Sequence, residues 1–274
     1  MDHGLKTAPL GKKTDYVEEY CPELLFPVER KLARDLIGLQ DANLPFDGFD
    51  IWNGMELSWL GPKGKPEIAI AVFTFPCASP HIVESKSFKL YLNSFNQSIF
   101  PSYEAVREVM VRDLSKAVGA SVQVSLTPAH KARDQLAYEL PGVCLDSLDI
   151  SINDYEFNPN HLKAEGAHID ETVHSHLLKS NCLATGQPDW GSLLIRYKGP
   201  KIDHEGLLKY IISFRRHSGF AEHCVERVFF DIQERCRPDS LTVYARYTRR
   251  GGLDINPFRS NFETEADNAR QIRQ

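Results

Sequence analysis

Two stretches of this 274-residue chain repeat one another in fixed register, and that repeat constrains the fold more than any other feature. Tyr91, Ser94 and Phe95 recur as Tyr210, Ser213 and Phe214. The same offset of 119 positions pairs Val106 with Val225, Val109 with Val228, Ser121 with Ser240 and Val124 with Val243. Two unrelated amphipathic helices agree at some positions by chance, but a register kept through helix and strand points to a duplicated unit.

Within each copy, periodicity sets the order of elements. Leu57–Leu60 and Glu67–Phe75 are β-rich and joined by the turn formers Gly61 to Pro66, which predicts a hairpin. Val106, Val109, Met110 and Leu114 share one helical face within Tyr103–Val118, and the segment from Ser121 to Leu126 alternates as a strand. In the second half Trp190–Tyr197 reads as a strand and Glu205–Phe214 as a helix. Phe220–Cys236 reads as a longer helix with Phe220, Cys224, Val225, Val228, Phe229 and Ile232 inward, and Ser240–Tyr247 as a closing strand. Strands, then helices, then strands, without regular β-α alternation, predict the α+β class, an antiparallel sheet with helices on one face. The expected organisation is an extended N-terminal arm over 1–48, a first module over 49–127, a turn-rich connector over 128–150 and a second module over 151–274.

Charge and hydropathy narrow the function classes. Thirty-seven acids against 32 Lys and Arg give a net charge of -5, which excludes a chain-wide cationic footprint for nucleic acid or an anionic membrane. The longest apolar run, Ile68 to Ala78, is broken by Thr74 and Pro76 and falls short of the roughly 20 residues of a spanning helix. Met1 to Pro9 has no apolar signal core, so the expected setting is the cytoplasm. There the six scattered cysteines are read one at a time.

Cys182 lies between an apolar segment and a Gly186-Gln187-Pro188 turn, and Asp189 follows seven residues on. A thiolate in a partly exposed, electropositive loop, with Lys179 nearby, can act as nucleophile while the carboxyl delivers a proton. The alternative is an inert buried thiol beside a turn-capping aspartate. Cys224 and Cys236 fall on the apolar helical face and read as core, whereas Cys21, Cys77 and Cys144 have no suggestive neighbour. His168, His174 and His176 lie close to Asp170 and Glu171, yet no second tight ligand pair or H-E-x-x-H pattern accompanies them, so no metal site is expected. Rossmann and P-loop glycine patterns are absent, and Arg250-Gly251-Gly252 offers a short basic phosphate contact. In Glu84-Ser85-Lys86-Ser87-Phe88-Lys89 a carboxylate, two hydroxyls and two ammonium groups suit a polar heterocycle beside a phosphate, although a solvated strand start has the same composition.

Taken together, Glu84 to Leu92, the Cys182 to Asp189 loop, Phe220 to Arg227 and Tyr247 to Pro257 resemble the long, two-module form of the QueF family, the NADPH-dependent 7-cyano-7-deazaguanine reductases. The resemblance covers nearly the whole chain. It implies two tandem tunnelling-fold modules, each an antiparallel sheet with paired helices, assembling into a homodimer. The implied reaction is the four-electron reduction of a nitrile to a primary amine by two NADPH, on the route to queuosine in tRNA. By the same resemblance Cys182 is the nucleophile that forms a thioimide and Asp189 the proton donor. Val83, Glu84, Ser85, Phe220, Ala221 and Glu222 fall at substrate positions, and Ser85, Lys86, Arg250 and Gly251 at NADPH positions. Neither a metal nor direct contact with nucleic acid is implied.

One departure stands out. The family reads Phe-His-Glu where this chain reads Phe220-Ala221-Glu222. His223 lies two residues on, about 200° around a helix, and so faces away from the side Ala221 occupies. Two other function classes remain open at this stage: a cysteine-dependent nitrile or amidine hydrolase, and a non-catalytic purine-binding protein.

Overall fold

A computed structural model describes residues 17–132, 138–153, 155–183 and 185–274. Residues 1–16 of the expected arm and 133–137 of the expected connector lie outside the described residues. Contacts divide the chain into two units, the first drawn from residues 1–41, 49–135 and 249–254 and the second from 42–48, 136–248 and 255–274.

The first unit carries β1 (Pro27–Glu29), α1 (Lys31–Asp35), β2 (Asp47–Leu60), β3 (Pro66–Pro76), β4 (His81–Val83), α2 (Ser85–Asn93), α3 (Tyr103–Val118) and β5 (Gln123–Pro128). The expected hairpin is β2–β3, antiparallel with Leu60 opposite Pro66 and a register shift between Gly54 and Leu57, and β5 joins the far side of β3 with Val124 opposite Phe73. Alternation along β3 turns Ala69, Ala71, Phe73 and Phe75 inward. Phe88 of α2 meets Trp52 at 5.0 Å and Phe73 at 4.9 Å, both edge-on. Each such ring removed from water contributes on the order of 1.5–3 kcal/mol, so aromatic packing fixes α2 on the sheet. Ser102 Oγ accepts from the Ala105 amide to start α3, and Gly119 at φ 73° ends it.

The described part of the arm is tied down instead of standing apart. The Cys21 amide donates to Ser94 Oγ, the Phe26 amide to Ser87 Oγ, and the Glu84 amide to the Phe26 carbonyl. Residues 249–254, expected in the second module, group with the first unit because the Met55 amide donates to the Gly252 carbonyl at 2.8 Å and Asn53 donates to Asp254 at 2.7 Å.

The second unit carries β6 (Val143–Cys144), β7 (Ala164–Asn181), β8 (Pro188–Ile202), α4 (His204–Ser213), α5 (Ala221–Cys236), β9 (Ser240–Tyr247) and, from Ile255 on, β10 (Leu253–Ser260). Strands β7 to β10 follow one another antiparallel, and β6 runs parallel along the outer side of β7. Cys224, Val225, Val228, Phe229, Ile232 and Cys236 of α5 are buried as expected. Phe220 instead stops short of the helix as its N-cap residue and is only half-buried.

The duplication is real but its register is not constant. Between α2 and α4 the offset is 119: Ser94 and Ser213 each donate a 2.7 Å hydrogen bond to the carbonyl of Tyr91 or Tyr210. Between α3 and α5 it is 118, since the N-cap residues are Ser102 and Phe220 and the left-handed residues after the helices are Gly119 and Arg237. Val106 therefore corresponds to Cys224, not Val225. One residue fewer links α4 to α5, and the adjacent apolar pair Cys224-Val225 lets either alignment look plausible in sequence. Each copy also begins earlier than the periodicity suggests. The Asn158 amide reaches Ser213 Oγ as Cys21 reaches Ser94, and the Asp203 amide reaches the Lys163 carbonyl at 2.9 Å as Glu84 reaches Phe26.

Candidate active site

Cys182 and Asp189 are brought together by the β7–β8 hairpin. The Cys182 amide donates to the Gln187 carbonyl at 2.8 Å and the Gly186 amide to the Cys182 carbonyl at 3.0 Å, closing a tight loop with Gly186 at φ 65°. Asp189 sits opposite Ser180 in the antiparallel register. Ser180 and Asp189 therefore share one face of the hairpin, and Cys182 follows Ser180 by two residues where the strand gives way to the closing loop. The Asn181 amide donates to the His217 carbonyl, and the Gly219 amide to the Asn181 carbonyl, which staples the segment before α5 beside the thiol.

The thiol differs from expectation in one respect. Cys182 is in a loop, but it is buried at 9% exposure, with Asp189 half-buried beside it. Lys179, expected to lend it charge, lies an odd number of residues away and projects from the opposite face. Its ammonium donates to the Arg215 carbonyl at 2.7 Å, and burial pulls its pKa down.

The first turn of helix α5 holds Glu222 buried and Ala221 half-buried. One turn in, the Cys224 thiol contacts Ser180 Oγ and the Tyr247 hydroxyl, near the charges of Asp189 and Glu222, and burial pushes it up to about 12. Cys224 is thus core, as its helical face suggested, and it also feels the charges of both carboxylates. Ser180, Tyr247 and His217 were not singled out from sequence. The signal for Ser180 was available, since it lies two residues before the candidate nucleophile on a strand.

In the first unit, Glu84 is the N-cap of α2, its carboxylate accepting from the Lys86 amide at 2.6 Å and the Ser87 amide at 2.8 Å. The solvated-strand reading of this segment is therefore replaced by a helix start. Glu84 is fully buried, and burial raises its pKa against the pull of those amides and of Lys89 and Lys86. Two amides occupy two of about four acceptor positions, leaving room for ring N–H donors. Val83 is buried in β4 against Pro27, and Ser85 is half-buried.

Lys86 and Lys89 line a cavity of about 520 Å³ with Gly251, Gly252, Asn93 and Asn96. Gly251 and Gly252 take φ 56° and 68°, and the Arg250 amide bonds to the Leu253 carbonyl, so the Gly-Gly pair forms a tight turn at the cavity edge. At Gly252 an added Cβ would meet the movable Glu56 side chain at 2.5 Å, and the φ of 68° is one that glycine adopts without strain. Two ammonium groups beside a glycine turn fit an anionic, phosphate-bearing ligand. Of the residues expected to meet NADPH, Lys86 and Gly251 share this cavity, Ser85 and Arg250 are outside its lining, and Lys89 joins it.

A duplicated α+β protein with a buried cysteine and a half-buried carboxyl on one hairpin, and a lysine-lined cavity, has the features of an enzyme that handles a polar, anionic ligand. Comparisons with known proteins narrow the class. Residues 16–126 match the family model described as "Nitrile reductase, 7-cyano-7-deazaguanine-reductase N-term", and residues 188–266 match the one described as "QueF-like protein". The chain is 55% identical over 99% of its length, and 97% of the relative's, to the NADPH-dependent 7-cyano-7-deazaguanine reductase of Azoarcus sp.. It is 58% identical to that of Burkholderia multivorans over 97% of this chain and 98% of the relative. Against that of Chromobacterium violaceum the identity is 56% over 97% and 96%. The chain belongs to the QueF family of two-module 7-cyano-7-deazaguanine reductases.

Proposed function

We propose that this chain reduces the nitrile of 7-cyano-7-deazaguanine to the aminomethyl group with two NADPH, through a thioimide on Cys182. The observation that carries the reading is that one tight hairpin holds the buried Cys182 in its closing loop and Asp189 at the start of its second strand. The thiolate adds to the nitrile carbon, the C–N triple bond becomes a double bond, and the nitrogen takes its proton from Asp189. The product, a thioimide, accepts hydride far more readily than the nitrile does. NADPH, when bound, supplies hydride, and Lys86, Arg250 and Gly251, with Ser85 beside them and Lys89 as a further cation, would hold its anionic part. Loss of the thiolate after the first reduction leaves an imine, and a second hydride and proton give the amine. Glu84 and Glu222 accept from the donor edge of the deazaguanine ring, with Val83, Ser85, Phe220 and Ala221 shaping its surroundings.

Burial of Cys182 favours this reading over the hydrolase, because a thioimide sheltered from water persists until hydride arrives. The reading includes a homodimer working in the cytoplasm on a free base, without direct contact to tRNA. Six free cysteines agree with a reducing setting. Among the described residues no helix is long and apolar enough to cross a membrane.

Intact-mass measurement after mixing with the nitrile tests the proposal. The adduct is expected in the native chain, absent in Cys182→Ala and retained in Cys224→Ala, whose thiol stays protonated at neutral pH. With NADPH added, two equivalents should be oxidised per amine formed. Release of an acid, or an adduct that survives Cys182→Ala, would overturn it.

A further inference from the structure

We propose that Cys144, His174 and His176 form a site for a zinc-class divalent ion, with three protein ligands and a fourth position open to water. The sequence separates Cys144 from the histidines by 30 residues, which is why no ligand set was visible there. The parallel pairing of β6 with β7 sets Cys144 opposite His174, and His176 follows within the register shift of β7 between Ser175 and Leu178, where its ring turns toward the other two side chains. One ligand atom from each lies within 4.8 Å of the other two.

The imidazoles are already oriented as metal ligands are. His174 is buried at 5% exposure and its Nδ1 lies 3.0 Å from the Pro141 carbonyl. A carbonyl only accepts, so Nδ1 carries the proton and Nε2 keeps the lone pair that ligates. His176 Nδ1 is held at 2.7 Å by Ser192 Oγ, and its backbone amide donates to Asp146. Holding the far nitrogen in this way fixes ring orientation before any ion arrives. Cys144 is exposed, which gives an ion a way in. Closing such a set onto tetrahedral zinc, with about 2.3 Å to sulfur and 2.0–2.1 Å to nitrogen, needs movement of roughly 1 Å.

The donor set selects the metal. One thiolate and two imidazoles suit zinc and its borderline neighbours, whereas magnesium and calcium take oxygen ligands. Asp146 and Glu139 add negative potential at His176 against the positive charge of Arg273, whose guanidinium donates to the His176 carbonyl. The thiol proton leaves as the metal–sulfur bond forms. The consequence is a clip: β6 is two residues long, and a shared ion ties it to β7 more firmly than its two register pairs do.

Cobalt(II) titration of the full-length chain, first stripped with a chelator, tests the site. One equivalent should give a thiolate-to-cobalt charge-transfer band and a tetrahedral visible band. Cys144→Ser should lose the charge-transfer band, His174→Gln should lose the tetrahedral signal, and Ser192→Ala should weaken affinity about 10- to 100-fold. Cys182→Ala should keep both bands, and zinc should raise the melting temperature of the native chain but not of Cys144→Ser. A native chain without the bands, bands that survive Cys144→Ser, or bands lost in Cys182→Ala would each overturn the proposal.

Discussion

The Tyr210 hydroxyl donates a 2.7 Å hydrogen bond to the buried Asp231 carboxylate, joining α4 to α5 through their polar interior. Burial raises Asp231's pKa, and besides Tyr210 it is held by Arg227 at 2.9 Å. The first unit repeats the pair as Tyr91 and Asp113 at 2.9 Å, but Asp113 also accepts from Tyr20 and Arg112. Removing a hydroxyl therefore strips more from the second unit. Tyr210→Phe should lower unfolding free energy by about 1–3 kcal/mol, the cost of an unsatisfied buried partner, and Tyr91→Phe by less. Urea titrations of the two variants check the order, and equal losses would contradict it.

Glu84 and Asp203 are counterparts in the repeat that do different work. Both cap a helix, Glu84 through the Lys86 and Ser87 amides and Asp203 through the Gly206 amide at 3.1 Å. Glu84→Gln and Asp203→Asn each keep an oxygen that can accept from the cap amides, so each should cost less stability than the roughly 0.5–2 kcal/mol of a cap replaced by alanine. Only Glu84→Gln should also weaken nitrile binding, by about 1–3 kcal/mol, because on the proposed function only that carboxylate receives ring donors. Calorimetry on both variants separates the roles, and an affinity unchanged in Glu84→Gln removes it from the site.

His217 makes stability depend on pH. Burial first, then Arg227, lowers its imidazole below the usual histidine range, and its ring packs on Phe157 and Phe214 at 5.6 and 5.4 Å. As pH falls, the unfolded chain protonates this group first, near pH 6.5. Its contribution is present above about pH 6.5 and is lost as pH falls through the lower folded value, with a slope of at most about 1.4 kcal/mol per pH unit. His217→Phe keeps the ring contacts and removes the proton, so its urea midpoint should fall less between pH 6.5 and 5.5 than that of the native chain. Parallel profiles would show that another group carries the dependence.

Much of this molecule is legible because its elements are periodic. The strand Ser240–Tyr247 and the helix Tyr103–Val118 fall where apolar spacing put them. The Cys182–Asp189 pair is legible because a Gly-Gln-Pro turn between two strands can only bring its flanks together. What stayed hidden depends on non-local pairing. Cys144 meets His174 only through a two-residue parallel strand, and Cys21 and Asn158 open their repeats through single amides to Ser94 and Ser213. The shift from 119 to 118 was masked by two neighbouring apolar residues. Glu84 was legible as a carboxylate at the right place but not as a cap, since a cap is recognised only once the helix after it is known.

Ala221 occupies the first helical position of α5, where the resemblance leads one to expect histidine, and Glu222 beside it is buried. On the proposed mechanism, capture of the nitrile calls on Cys182 and Asp189 and not on the missing ring. Proton delivery in the later hydride steps would call on it, and a positioned general acid is typically worth about 10²- to 10⁴-fold. The thioimide should therefore accumulate in this chain when NADPH is supplied, and Ala221→His should raise amine formation by a comparable factor. His223 does not substitute for it: two residues along α5 turns it about 200° from Ala221, and its ring packs on Phe220 at 5.5 Å. Steady-state NADPH oxidation by Ala221→His and His223→Ala, each with adduct measured by mass, decides the matter. Unchanged turnover in the first variant, or lost turnover in the second, would place the proton source elsewhere.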